Sequence, residues 1–228
     1  MPRENNALKH IKVIIFDLDG TLVDAYRAIE SSFNFTMRKL RLPVKGAAII
    51  RKAVGWGDKM LLAPFVPECL LTRALKTYRE HHTKALAAGS KVFPSAKRLL
   101  RKLKLRYALA VASNRPTFFS GILLRGLGLK KYFDFVVCAD RLKRGKPHPL
   151  ILKKILLHFR LKASQALYVG DMAIDAQTGK RAQVKTVIVR TGSSSLRQIR
   201  QERPYRIISR IGELGKILIT TDPSLKRA

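Results

Sequence analysis

The stretch that most constrains this chain is IKVIIFDLDGT, residues 11–21. Ile11, Val13, Ile14, Ile15 and Phe16 form a short, mostly β-branched run that is apolar on both faces. Such a run reads as a buried strand of a parallel sheet covered on both sides. It stops at Asp17 and Asp19. Side chains two residues apart in extended backbone point the same way, so both carboxylates face one site past the strand's C-terminal end. Open α/β sheets bind their ligands at that end. Gly20 then permits a turn that a Cβ would hinder. The two acids repel, and no lysine adjoins them in the sequence. A hard divalent cation such as Mg²⁺ is the usual remedy. An acidic turn without a metal is the plain alternative at this point.

The apolar periodicity changes after Thr21. Residues 24–40, 46–54, 57–63 and 68–88 carry apolar side chains at helical spacing, so 24–90 reads as an all-helical insert. From residue 91, strands and helices alternate. Strands are expected at 107–112, 135–138, 166–169 and 186–190, with a possible edge strand at 207–208. Helices are expected at 94–104, 116–127, 149–159, 172–182, 196–201 and 213–219. The alternation predicts an α/β fold, with a Rossmann-like three-layer core made of 1–23 and 91–228 and a helical cap made of 24–90.

Composition narrows the setting. No window of the 228 residues approaches the ~20 apolar residues of a membrane span. The polar start MPRENNALKH is unlike a secretory signal. Two cysteines, Cys69 and Cys138, lack any metal or redox spacing and fit a reducing, cytoplasmic setting. The anomaly is charge: 46 Lys and Arg against 15 Asp and Glu, a net +31, most of it after residue 90. Such an excess attracts anionic substrates and polyanions, including nucleic acid. The basic residues are scattered through periodic elements rather than gathered in a tail, and a basic surface unrelated to the chemistry is the bland alternative.

Each later strand runs into a polar group able to handle phosphate. Ser113 and Asn114 precede a helix N-terminus, an anion site by geometry. Lys146 precedes the helix at 149. Asp171 ends the 166–169 strand, and Asp175 lies one helical turn on, on the same face. Each has an ordinary reading alone, as a cap or a surface charge. Their joint order, at four strand ends of one sheet, favours a shared site.

In that order, Asp17-Leu18-Asp19-Gly20-Thr21, Ser113-Asn114, Lys146-Pro147 and Gly170-Asp171 with Asp175 resemble the four motifs of the haloacid dehalogenase superfamily. More narrowly, Phe93-Pro94, Gly128-Leu129, Tyr132-Phe133-Asp134 and residues 187–192 resemble its phosphoglycolate phosphatase-like branch. The resemblance covers about residues 10–220. It implies a mobile four-helix cap, and Mg²⁺ held by Asp17, Asp171 and the backbone carbonyl of Asp19. Asp17 is then the nucleophile that forms an aspartyl-phosphate. Asp19 is the general acid and base, a task that requires it to hold a proton near neutrality. Ser113, Asn114 and Lys146 meet the phosphoryl oxygens. Asp175 orients Lys146 or a water beside the metal. Arg115, His148 and Gln183 depart from the branch's common residues, and none is expected to touch the core chemistry. The loop from Gly55 to Lys59 suggests no substrate.

The function so implied is Mg²⁺-dependent hydrolysis of a small phosphomonoester, phosphoglycolate-like. A sugar-phosphate phosphatase, a pyrophosphatase or a phosphomutase fits the same motifs. The strong positive charge motivates a different class, a nucleic-acid end-processing phosphatase or RNA-associated protein.

Overall fold

The structure, a computed structural model, describes residues 8–221. Residues 1–7 and 222–228 of the expected core, with most of the polar N-terminal stretch, lie outside the described residues.

Strand β1 (Val13–Phe16) is wholly buried, as its two apolar faces require. It lies between β4 (Ala108–Ser113) and β6 (Ala166–Gly170), parallel to both. Phe16 pairs with Val111 on one side and Val169 on the other, so the three C-terminal ends fall side by side. Strands β5 (Phe135–Cys138), β7 (Lys185–Val189) and β8 (Arg206–Ile208) complete a parallel sheet in the order β5-β4-β1-β6-β7-β8.

The alternation along β1 sorts its side chains into two cores. Ile14 and Phe16 pack with Leu100 and Leu103 of α5 (Ala96–Lys104) and Leu123 and Leu124 of α6 (Thr117–Gly126). Val13 and Ile15 face the other layer, with Ile151, Leu152 and Ile155 of α7 (Leu150–Phe159) and Ala182 of α8 (Ala173–Ala182). Helices α9 (Leu196–Gln201) and α10 (Glu213–Thr221) follow the last two strands. This is the expected three-layer α/β core.

The helical insertion comprises α1 (Tyr26–Lys39), α2 (Ala47–Ala53), α3 (Asp58–Leu62) and α4 (Glu68–Gly89). It has its own apolar centre, built on Phe33, Met37, Ile50, Leu62 and Tyr78. Its two ends are tied together by a feature the sequence did not reveal. Strand β2 (Val23–Asp24) pairs antiparallel with β3 (Lys91–Val92), Val23 opposite Val92 and Asp24 opposite Lys91. Two-residue strands are too short to leave a periodic signal. A second difference is local: α5 begins at Ala96 rather than at Pro94, because Ser95 is left-handed at φ 69° and interrupts any earlier turn.

Candidate active site

The strand ends collect the expected residues. The Asp17 backbone N–H donates to the Val169 carbonyl at 2.8 Å, which places its carboxylate between the ends of β4 and β6. Asp17, Ser113, Asn114, Lys146, Asp171 and Asp175 are all buried. With Asp19 they are brought to one place, and most of them line a cleft beneath the insertion.

Lys146 is the centre of charge. Its Nζ lies 2.9 Å from Asp17 Oδ1, 2.7 Å from Asp175 Oδ1 and 3.2 Å from the Tyr168 hydroxyl. Burial would push its ammonium down, but Asp17 and Asp175 outweigh burial and hold it up. Asp175 is satisfied at both oxygens. Oδ1 accepts from Lys146 and from Tyr168, and Oδ2 accepts the backbone N–H of Asp171 and Met172. It is therefore built to hold Lys146 and the start of α8.

Asp17 and Asp171 differ from Asp175. Burial pushes Asp17 up to about 7, with Asp175 adding to the rise and Lys146 opposing it. Burial raises Asp171 well above the ordinary carboxylate range, and the charges of Asp175 and Asp17 add to it. Asp171 Oδ1 accepts from the Thr21 hydroxyl at 2.8 Å, whereas Oδ2 is buried with no hydrogen-bond partner among the described residues. Gly20, at φ 79°, and Gly192 both lie so close that a Cβ on either would overlap that oxygen. Carboxylate oxygens of Asp17, Asp171 and Asp175 fall within 4.8 Å of one another. A buried oxygen without a donor, among repelling acids, is costly unless a cation completes it. The donors are all hard oxygens, so the cluster fits Mg²⁺ or a similar ion. Since Asp175 is already satisfied, Asp17 and Asp171 are the carboxylates that could hold it.

Asp19 points to a different neighbour. Arg115 grips its carboxylate at both ends, Nε to Oδ2 at 2.7 Å and Nη2 to Oδ1 at 2.8 Å. Arg115 Nη1 lies 2.7 Å from Nε2 of His82, on α4. An arginine has only donors, so His82 accepts at Nε2 and carries its proton on Nδ1, toward Ser32 Oγ at 3.0 Å. Burial first, and the Arg115 charge second, push His82 down to about 2, so it is neutral. Arg115, expected to stay clear of the core chemistry, instead bonds directly to Asp19. Position 115 directly follows the Ser113-Asn114 pair at the end of β4, and a long side chain there reaches Asp19 across the neighbouring strand end.

Asn114 ties three segments together. Its side-chain amide donates to the carbonyls of Gly55 at 2.9 Å and Lys146 at 3.1 Å, and its oxygen accepts the Lys146 N–H at 2.8 Å. Gly55, in the stretch ahead of α3 that was unassigned from sequence, is therefore one foothold of the insertion on the core. Ser113 Oγ accepts the Arg115 N–H at 3.2 Å. Tyr168 and His82 escaped sequence reasoning, and Thr21 was read as part of the first motif without a role of its own. Tyr168 left one signal, as the polar-tipped residue in the otherwise apolar ALYV. His82 sits in a helical stretch where nothing in the spacing marks it.

The fold and the cluster together define a class, and the family comparison agrees with it. The chain belongs to the haloacid dehalogenase-like hydrolases, whose family model matches residues 14–189. It is an enzyme of that type. Among curated proteins it is 31% identical over 209 residues to a phosphoglycolate phosphatase of Aquifex aeolicus, covering 91% of this chain and 97% of that one. It is 34% identical over 195 residues to a phosphoglycolate phosphatase of Rhodospirillum rubrum, covering 80% and 81%. Among solved structures, a predicted phosphoglycolate phosphatase of Haemophilus somnus superposes with a TM-score of 0.86 at 26% identity, covering 92% of this chain and 98% of that one. No helix among the described residues is long and apolar enough to cross a membrane.

Proposed function

We propose that this chain is a Mg²⁺-dependent phosphatase of small phosphomonoesters, phosphoglycolate-like, acting through an aspartyl-phosphate on Asp17. The observation that carries the reading is the placement of Asp17. It is a buried carboxylate at the end of the central strand, 2.9 Å from Lys146 and within 4.8 Å of a carboxylate oxygen of Asp171, whose Oδ2 has no hydrogen-bond partner among the described residues. The related phosphoglycolate phosphatases supply the substrate class.

Asp17, Asp171 and the Asp19 backbone carbonyl would hold the cation. Bound there, Mg²⁺ would offset charge on the phosphoryl oxygens. An Asp17 oxygen attacks phosphorus, and the bond to the ester oxygen breaks. Asp19 gives that leaving oxygen a proton. Water then attacks the phosphorus of the aspartyl-phosphate. Asp19 takes a proton from the water, and inorganic phosphate leaves as Asp17 is regenerated. Lys146, held by Asp175, balances charge on Asp17 and on the phosphoryl group. Ser113 and Asn114 shape the wall facing that group. Residues 24–90 act as a cap whose apolar wall, with Ile29, Val54 and Leu61, limits substrate size and water entry.

A panel containing 2-phosphoglycolate, sugar phosphates and pyrophosphate, assayed for phosphate release, tests the reading. Turnover of a small phosphomonoester with Mg²⁺ is expected, with loss in EDTA and inhibition by Ca²⁺. Undiminished turnover in EDTA overturns it.

A further inference from the structure

We propose that Arg115 selects the substrate. It holds Asp19 in the substrate-free protein and passes to a second anionic group on the substrate, so the cleft takes short phosphomonoesters that also carry a carboxylate. The proposal rests on the phosphatase reading above.

Among the described residues, Lys146 and Arg115 are the two cationic side chains lining the cleft. Lys146 has three donors, and they face Asp17, Asp175 and Tyr168. It is engaged at the phosphoryl end. Arg115 is the cation left for the rest of a substrate. Its guanidinium has five N–H donors, of which Asp19 and His82 account for three. The planar fork matches a carboxylate, as its grip on Asp19 illustrates.

The walls around it include apolar or neutral Ile29, Leu61, Tyr78 and Phe119, with His82 beside the guanidinium, and the one further carboxylate, Asp58, is already paired with Arg79. A second anion buried among them needs a charged partner, and Arg115 is the one present. The exchange also serves the chemistry. Both Asp19 oxygens are occupied by the fork. Each oxygen keeps a second lone pair, but the fork fixes the orientation of the carboxylate, so releasing one oxygen lets Asp19 turn toward a leaving oxygen. A buried guanidinium leaves one anion readily only for another. A carboxylate on the substrate makes that exchange nearly even, whereas a neutral tail leaves Arg115 on Asp19. A site of this kind rejects an analogue that lacks its polar partner. Because Arg115 bonds directly to the group that meets the leaving oxygen, the second anion should lie within two or three carbons of the ester oxygen.

The test compares kcat/KM for 2-phosphoglycolate and for ethyl phosphate, which has the same two-carbon length without the carboxylate. Wild type, Arg115→Gln and Arg115→Lys are assayed. Wild type should favour 2-phosphoglycolate by roughly 100-fold, as expected for a charged hydrogen-bonded pair. In Arg115→Gln the preference should fall to within about 3-fold of unity, chiefly through KM, with Arg115→Lys in between. A preference that survives in Arg115→Gln overturns the proposal, as does a wild type that shows none. Inhibition of the wild type needs no variant: phosphonoacetate should bind at least ~10-fold more tightly than ethylphosphonate, and equal inhibition also overturns it. If both esters are hydrolysed equally well with Mg²⁺, Arg115 loses its assignment while the phosphatase reading stands. If neither is hydrolysed nor any other phosphomonoester, that reading falls and takes this proposal with it.

Discussion

The side-chain amide of Asn114 donates to the carbonyl oxygen of Gly55 at 2.9 Å, joining the end of a core strand to the loop that begins α3 of the insertion. The same side chain bonds the Lys146 backbone in both directions. Asn114→Asp keeps the acceptor but turns both donations into contacts between a carboxylate and a carbonyl. Leaving buried acceptors facing each other should cost on the order of 2–4 kcal/mol. Urea unfolding should show that loss, and KM should rise as the insertion loosens. A variant as stable as wild type would mean the strap is incidental.

The Asp17 carboxylate links pH to metal binding. Its pKa rises from 3.8 to about 7 on folding, so the folded state binds a proton that the unfolded chain has released between those values. Its stabilising share is whole below pH 3.8 and is lost as pH climbs through about 7. A cation at Asp17 and Asp171 removes that penalty, and it needs the carboxylates ionised. Mg²⁺ should therefore raise Tm more at pH 8 than at pH 5, a contrast scanning calorimetry can read. Equal gains at both pH values would contradict the placement of the ion on Asp17.

His82 acts in the opposite sense. Its pKa falls from 6.5 in the unfolded chain to about 2 in the fold, so its contribution is present above pH 6.5 and is lost as pH drops below it. Between pH 6.5 and 5 the loss should be about 2 kcal/mol. His82→Gln retains an acceptor for Arg115 without an ionisable ring. Denaturant titrations at several pH values should show a flatter acid limb for this variant. Parallel acid limbs would mean that His82 can take up its proton within the fold.

Much of the site was legible because strand ends carry it. Asp17, Ser113 and Asp171 each close an apolar run, and parallel neighbours bring such ends together whatever the intervening sequence. Asp175 followed from helical spacing. The contacts between the insertion and the core were not legible. His82 meets Arg115 only because α4 folds back over the cleft, and Gly55 meets Asn114 through a loop without pattern. The ribbon of Val23 with Val92 was hidden for a similar reason, since it is long-range and only two residues long. Arg115 was visible but its bond to Asp19 was not, because that partner lies on the neighbouring strand end and not beside it in the chain.

The +31 charge should show itself in binding rather than in turnover. A basic surface holds phosphate backbones with an affinity that falls steeply as salt rises. The cleft, covered by the insertion, leaves little room for a polymer end. Oligonucleotides with 3′- or 5′-phosphates should bind at low salt yet turn over far more slowly than a small phosphomonoester. Their preference in kcat/KM at physiological salt would replace the metabolite reading with an end-processing one.

The central claim is that Asp17 carries the phosphoryl group, and acid quench during turnover with Mg²⁺, followed by peptide mass spectrometry, tests it most directly. The expected result is a phosphorylated peptide containing Asp17, absent from Asp17→Asn, whose turnover should fall by roughly 10⁴-fold or more. Substantial turnover by pure Asp17→Asn, or a phosphoryl group trapped on another residue, would contradict the claim.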